Sequence, residues 1–332
     1  MKRTVIALLT VILLFGTGLT SFAGDAKEKP VRMAYLQNDI HHLACWVALE
    51  KGIYKQVGVD VEIAGVFKAG PEIMSAFAAG SLDMAYVGEA PATTAVANKA
   101  AKVVVVAQVN TEGSAIVVAK KESGITSVSD LAGRTVAVPG HSTVQDFLLR
   151  KALKKNQVPL EKVNIIVLKP PEMIGALRTD QIDGFIAWEP YPSKAATMGV
   201  GRNLATSHDI WPDHPCCVLV TSIDFLQKHP EQVKRVVGAH LRATSFIVHN
   251  REEALLIGTK YTGMDKETVD MAMNNVNYTW EISLLGEKEY VSFLKELGYI
   301  KLDDTDAFVD GFIHQQILEG LTKDWIKKQF AR

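Results

Sequence analysis

Two glutamates, four histidines and a pair of adjacent cysteines are the residues of this chain whose types and places could do chemistry. Glu89 and Glu189 hold equivalent positions in an internal repeat: PEIMSAFAAGSLDMAYVGEAPATTA (71–95) and PEMIGALRTDQIDGFIAWEPYPSKA (171–195) align without gaps at an offset of 100, with six identities. Paired carboxylates can serve as general acid and base, hold the cationic end of a ligand, or cap the helices that follow them. His41, His42, His141 and His214, with the thiols of Cys216 and Cys217, are transition-metal ligand types. No H-x-x-x-H or C-x-x-C spacing gathers them, however. The histidines therefore read as hydrogen-bonding groups facing a ligand, and no metal is assigned to them.

The elements that must position these residues alternate. Short β-branched runs at 31–36, 59–63, 84–87, 103–108, 115–119, 135–138, 164–168, 184–188 and 216–221 are separated by amphipathic stretches. Such alternation implies βαβ units and a mostly parallel sheet in an α/β fold. Beyond Thr221 nearly everything reads helical. Open α/β sheets bind ligands at the C-terminal ends of their strands, which is where Gln37, Asn38, Gly88, Glu89, Trp188 and Glu189 fall. Gly140-His141-Ser142-Thr143 leaves another strand and opens a helix, a ready anion site and equally an ordinary N-cap.

Composition narrows the function. The chain has 332 residues, 36 basic and 37 acidic, for a net charge of −1. Without a basic excess, no nucleic-acid partner is expected. Residues 1–23, MKRTVIALLTVILLFGTGLTSFA, have a positive start, an apolar run and a small-x-small end. That is the pattern of a cleavable export signal, with no cysteine at the cleavage point to carry a lipid. A periplasmic location follows as an expectation. Three cysteines in such a compartment leave at least one unpaired; a bridge from Cys45 to Cys216 or Cys217 and buried free thiols both remain open. Motifs such as G-x-S-x-G, the P-loop, G-x-G-x-x-G after a strand and H-E-x-x-H are missing. Neither catalysis nor a cofactor is expected.

The stretches VRMAYLQN, WVALEKGIYKQVGVDVEI, AFAAGSLDMAYVGEAPA, SVSDLAGRTVAVPGHSTVQDFLL, IDGFIAWEPYPSKA and FLQKHPEQVKRVV together resemble the periplasmic substrate-binding proteins of nitrate/sulfonate/taurine-type ABC importers. The resemblance implies a two-lobe periplasmic-binding-protein fold (type II-like) that closes on one small molecule about two crossing strands. Here that places one lobe at 30–115 plus 219–332 and the other at 116–218. It also implies a membrane permease and an ATPase as partners, and a monomer is expected. The family's ligand positions carry over to Gln37, Asn38, Gly88, Glu89, Ser142, Thr143, Trp188 and Glu189. His41, His42, His141 and His214 join them on the bottom-up reading. Two buried carboxylates need a partner charge, so a small polar organic ligand, a sulfonate- or taurine-like zwitterion or a nitrogen heterocycle, is the leading expectation. The alternatives are an enzyme like those that make the thiamine pyrimidine, and a receptor for a transition metal or metal chelate. His41-His42 and 213–217 depart from the family's pattern.

Overall fold

A computed structural model describes residues 28–119 and 123–330; the expected export signal lies outside them. Among the described residues eleven strands form two sheets. The first joins β1 (Val31–Leu36), β2 (Val61–Phe67), β3 (Met84–Gly88), β4 (Val103–Glu112), β10 (Pro215–Ser222) and β11 (Val276–Tyr278) in the order β11-β4-β10-β3-β1-β2. The second joins β5 (Ser114–Ala119), β6 (Thr135–Val138), β7 (Asn164–Val167), β8 (Gly184–Trp188) and β9 (Gly201–Thr206) in the order β7-β6-β8-β5-β9. Helices flank both sheets, giving two α/β lobes.

Each sheet is mixed, where alternation alone suggests mostly parallel ones. Every antiparallel pair contains β4, β5 or β10. Strands β5 and β10, each the first strand laid down after the chain crosses between lobes, run against the βαβ strands of their sheets, whereas β4 runs with them. The crossings occur at Gly113, the single residue between β4 and β5, and over 207–214 before β10. Strands β3, β4, β8 and β10 read as near-continuous apolar runs because both faces are covered; all five residues of β3 and all five of β8 are buried.

Two strands escape the sequence pattern. Strand β9 (GRNLAT) is polar and half-buried at a sheet edge, and β11 (VNY) is three residues inside an otherwise helical region. The repeat is real in three dimensions. Helix, strand and glutamate recur as Gly70–Ala78, β3 and Glu89, then as Pro170–Arg178, β8 and Glu189. Pro stands in the first turn of both helices, where its missing N–H leaves no intrahelical bond unmade.

Candidate functional site

The most concentrated chemistry lies where β10 enters the first sheet. Side chains of consecutive strand residues normally point to opposite faces. On β10, Pro215 faces Thr111 and Cys217 faces Asn110, so Cys216 is an extra residue in the ladder. This β-bulge re-aims its side chain. The Cys216 and Cys217 sulfurs stand 4.0 Å apart, and both face Nδ1 of His41, at 3.5 and 3.6 Å. All three residues are buried.

His41 is held by its other nitrogen. Nε2 lies 2.9 Å from the Gly113 carbonyl, which keeps a proton on Nε2 and turns Nδ1 toward the sulfurs. A backbone carbonyl on the far nitrogen is the usual second support of a metal-binding histidine. The short helical turn Ile40–His42 that carries it is capped by Asp39, whose Oδ1 accepts from the His41 N–H at 3.0 Å.

The charges are set by these neighbours. Burial raises the Cys216 thiol, but the Cys217 S–H and His41 outweigh it and hold the group well below its ordinary range, as a thiolate. Burial lowers His41, but Asp39 and Cys216 push it up to about 9. Burial also lifts Asp39 to about 7 and drives Cys217 well above the usual thiol value. The cluster thus rests as a thiolate–imidazolium pair with a second thiol beside it.

Tetrahedral metals sit about 2.3 Å from thiolate sulfur and about 2.0–2.1 Å from imidazole nitrogen, so ligand atoms on one face are separated by about 3.5–3.8 Å. The observed edges of 3.5, 3.6 and 4.0 Å match such a face. A second grouping, Asp39 with His42 and Cys217, is also compact. It is chemically weaker. His42 Nδ1 accepts the Leu36 N–H at 3.0 Å, and burial keeps the ring neutral, so its proton stays on Nε2 and no lone pair is free.

Beside the sulfurs lies a cavity of about 10 Å³, enough for the centre of about one water molecule. The first lobe lines it with Leu36, Asp39, Gly88, Cys216 and Cys217, and the second closes it with Thr143, Gln145 and Trp188. The indole Nε1–H of Trp188 has no protein partner. Cross-lobe bonds hold this closed arrangement: Ile40 N–H to the Glu189 carbonyl at 3.2 Å, Tyr299 hydroxyl to Asp146 at 2.8 Å, and Lys169 to Glu72 at 2.7 Å.

Of the residues expected at the site, Gly88, Thr143 and Trp188 border this cavity and His41 faces its sulfurs. Glu89 opens the helix Glu89–Ala97, and its Oε2 accepts from Gln108 at 3.1 Å. Burial lifts it to about 7, opposed by its hydrogen bonds to Glu287 and Gln108. Glu189 spends both oxygens on protein: Oε2 accepts from the Ser193 N–H at 3.1 Å and Oε1 from Asn275 at 2.7 Å. His214 gives Nδ1 to the Pro215 carbonyl at 2.9 Å, stacks on Trp211 and leaves Nε2 without a partner. Gln37 and Asn38 sit in the turn after β1, half-buried, with Asn38 at φ 55°. His141 is exposed, and Ser142 borders an outer groove with Pro71 and Met74 instead.

Asp39, Cys216, Cys217 and Gly113 complete the cluster without having stood among the expected ligand residues. The tandem Cys after Pro215 was the available signal. None of the three cysteines is in a disulfide, and Cys45 takes the Tyr54 hydroxyl at 3.7 Å, outside the cluster. No helix among the described residues is long and apolar enough to cross a membrane.

Comparison with known proteins agrees with this architecture. A protein of Brucella abortus named as a binding protein is 30% identical over 252 residues, 75% of this chain and 77% of its own. One of Bacillus subtilis, named for aliphatic sulfonates, is 29% identical over 292 residues, 85% of each chain. The zinc-bound ligand-binding component of an ABC-type import system from Staphylococcus aureus superposes with a TM-score of 0.77 at 20% identity, over 88% of this chain and 98% of its own. The NMT1-like family model matches residues 24–257, and with the two-lobe fold and the repeat this establishes that the chain belongs to the NMT1-like family.

Proposed function

We propose that this chain is the extracytoplasmic binding component of an ABC importer, and that its cargo is a thiophilic metal ion held by His41, Cys216 and Cys217. One observation carries the reading: three soft or borderline donors converge with metal-ligand spacing beside a cavity too small for an organic molecule. Soft thiolates with imidazole suit zinc or cuprous copper and disfavour magnesium or calcium. The zinc-bound relative supports a metal cargo within this fold; the sulfonate-named relative supports the importer role and a different cargo. A taurine-like zwitterion would need Trp188 and Thr143 to withdraw from the cavity they share with the thiols. The residues transform no substrate; they exchange protons for a coordinated ion. Binding replaces the protons on His41 Nδ1 and Cys217, since ligands must be deprotonated, and a permease with its ATPase would receive the loaded closed form.

Purified, reduced protein titrated with zinc, with cuprous copper under a reductant, and with nitrate, taurine and alkanesulfonates tests this. The expected result is one metal per chain by native mass spectrometry and a thermal shift with the metals alone. Shifts with a sulfonate or nitrate, and no retained metal, would overturn the metal cargo.

A further inference from the structure

All three donors belong to the first lobe: His41 follows β1, and Cys216 and Cys217 lie on β10. A ligand shifts a conformational equilibrium only by its differential affinity for the two states. Bonds from a metal to these three atoms are the same whether the second lobe is near or far. On their own they cannot make the ion favour closure.

The Gly113 carbonyl supplies the missing link. Gly113 is the hinge residue between β4 and β5, at φ +88°, directly after Glu112 at φ +60°. Its oxygen accepts from His41 Nε2 at 2.9 Å in the first lobe and from the Glu189 N–H at 2.8 Å in the second. The same contact region is fastened twice more. The Ile40 N–H donates to the Glu189 carbonyl, and Asn275 donates to the Glu189 carboxylate at 2.7 Å. The room is specific for glycine, because a Cβ at 113 would stand 2.4 Å from His41 Nε2 and 2.8 Å from Val276 Cγ2.

We propose that Gly113 is a positioning residue that couples lobe closure to metal affinity: closure sets its carbonyl on His41 Nε2 and fixes the tautomer that presents Nδ1 to the ion. Opening turns the hinge backbone, frees Nε2 and loosens the imidazole, so the ion is held tightly in the closed form and released as the lobes part. This rests on the metal reading of the His41–Cys216–Cys217 cluster.

The test compares zinc affinity, by competition with a chromophoric chelator, in the wild type, Gly113→Ala and Asn275→Ala. Losing an outer-shell support of a metal-binding histidine typically costs 10–100-fold in affinity, and Gly113→Ala is expected in that range. Asn275→Ala touches no donor atom and removes only a cross-lobe bond; it is expected to weaken zinc by about tenfold and to reduce the zinc-induced compaction seen by small-angle scattering. In the zinc-bound proteins, imidazole ¹⁵N spectra should show a single His41 state with the proton on Nε2 and the metal on Nδ1 in the wild type, and a mixture of states in Gly113→Ala. If Gly113→Ala misfolds, Asn275→Ala decides alone. Zinc bound by Asn275→Ala with wild-type affinity would overturn the coupling while leaving the metal site standing. No zinc bound by the wild type would overturn both.

Discussion

Cys216 and Cys217 are neighbours on one strand, yet their sulfurs lie on the same side, 4.0 Å apart. A regular strand would send one to each face. The bulge in β10 against Thr111 and Asn110 reverses that, and it does so where the chain has just returned from the second lobe. The strand that crosses the hinge is therefore also the strand that builds the donor pair. Their position against His41 turns two buried thiols, an otherwise inert arrangement, into one thiolate and one thiol that share a cation.

Replacing either sulfur should separate cargo binding from folding. Saturating a ligand at about a thousand times its Kd stabilises a folded chain by about 4 kcal/mol. The wild type should thus melt several degrees higher with excess zinc. Cys216→Ser and Cys217→Ser should each lose most of that shift while melting close to the wild type without metal. Cys45→Ser, outside the cluster, should keep it. Equal zinc shifts in all four proteins, read by differential scanning calorimetry, would exclude the two sulfurs as ligands.

Glu189 should behave as a structural carboxylate. Its two oxygens satisfy Ser193 and Asn275 inside the protein, and removing a buried acceptor strands its donors at about 1–3 kcal/mol. Glu189→Ala is therefore expected to lower the unfolding free energy of the metal-free protein, read from its urea transition, by that amount. Glu189→Gln, which retains one acceptor oxygen, should lose less. A normal midpoint for Glu189→Ala together with lost cargo binding would return this residue to direct ligand contact.

The sequence makes the lobes legible because β-branched runs, punctuating turns and the offset-100 repeat are local signals. Strands β1, β6 and β8 stand where their patterns put them. Antiparallel order is not local; it depends on β5 and β10 entering their sheets after the chain has crossed the hinge, which spacing along the chain does not encode. The same is true of the site. Glu89 and Glu189 stand out as a repeated pair, but their surroundings differ: Gln108 and Glu287 beside one, Ser193 and Asn275 around the other. His41 and the two cysteines are separated by 175 and 176 positions, so no ligand motif could join them. Only a bulge, invisible in composition, aims both sulfurs at one nitrogen.

His240 should set part of the acid limit of stability. It is fully buried beneath β4, with Nε2 donating to the Gln108 carbonyl at 2.8 Å and Nδ1 facing the Tyr86 hydroxyl at 3.3 Å. Burial lowers its pKa to about 4, against the opposing effect of the Gln108 bond. The unfolded chain, near the ordinary 6.5, binds this proton first, so stability from His240 is complete above about 6.5 and drains away as the pH falls toward 4. The full loss is on the order of 3 kcal/mol. Asp39 and Glu89, both raised to about 7 chiefly by burial, act in the opposite direction: their protonation as the pH falls through 7 favours the folded form. A difference measurement isolates the histidine. His240→Gln keeps an amide donor for Gln108 and cannot titrate, so its urea midpoint should fall less than the wild type's between pH 7 and pH 4.5. Parallel midpoint curves for the two proteins would show that His240 is not the group that charges.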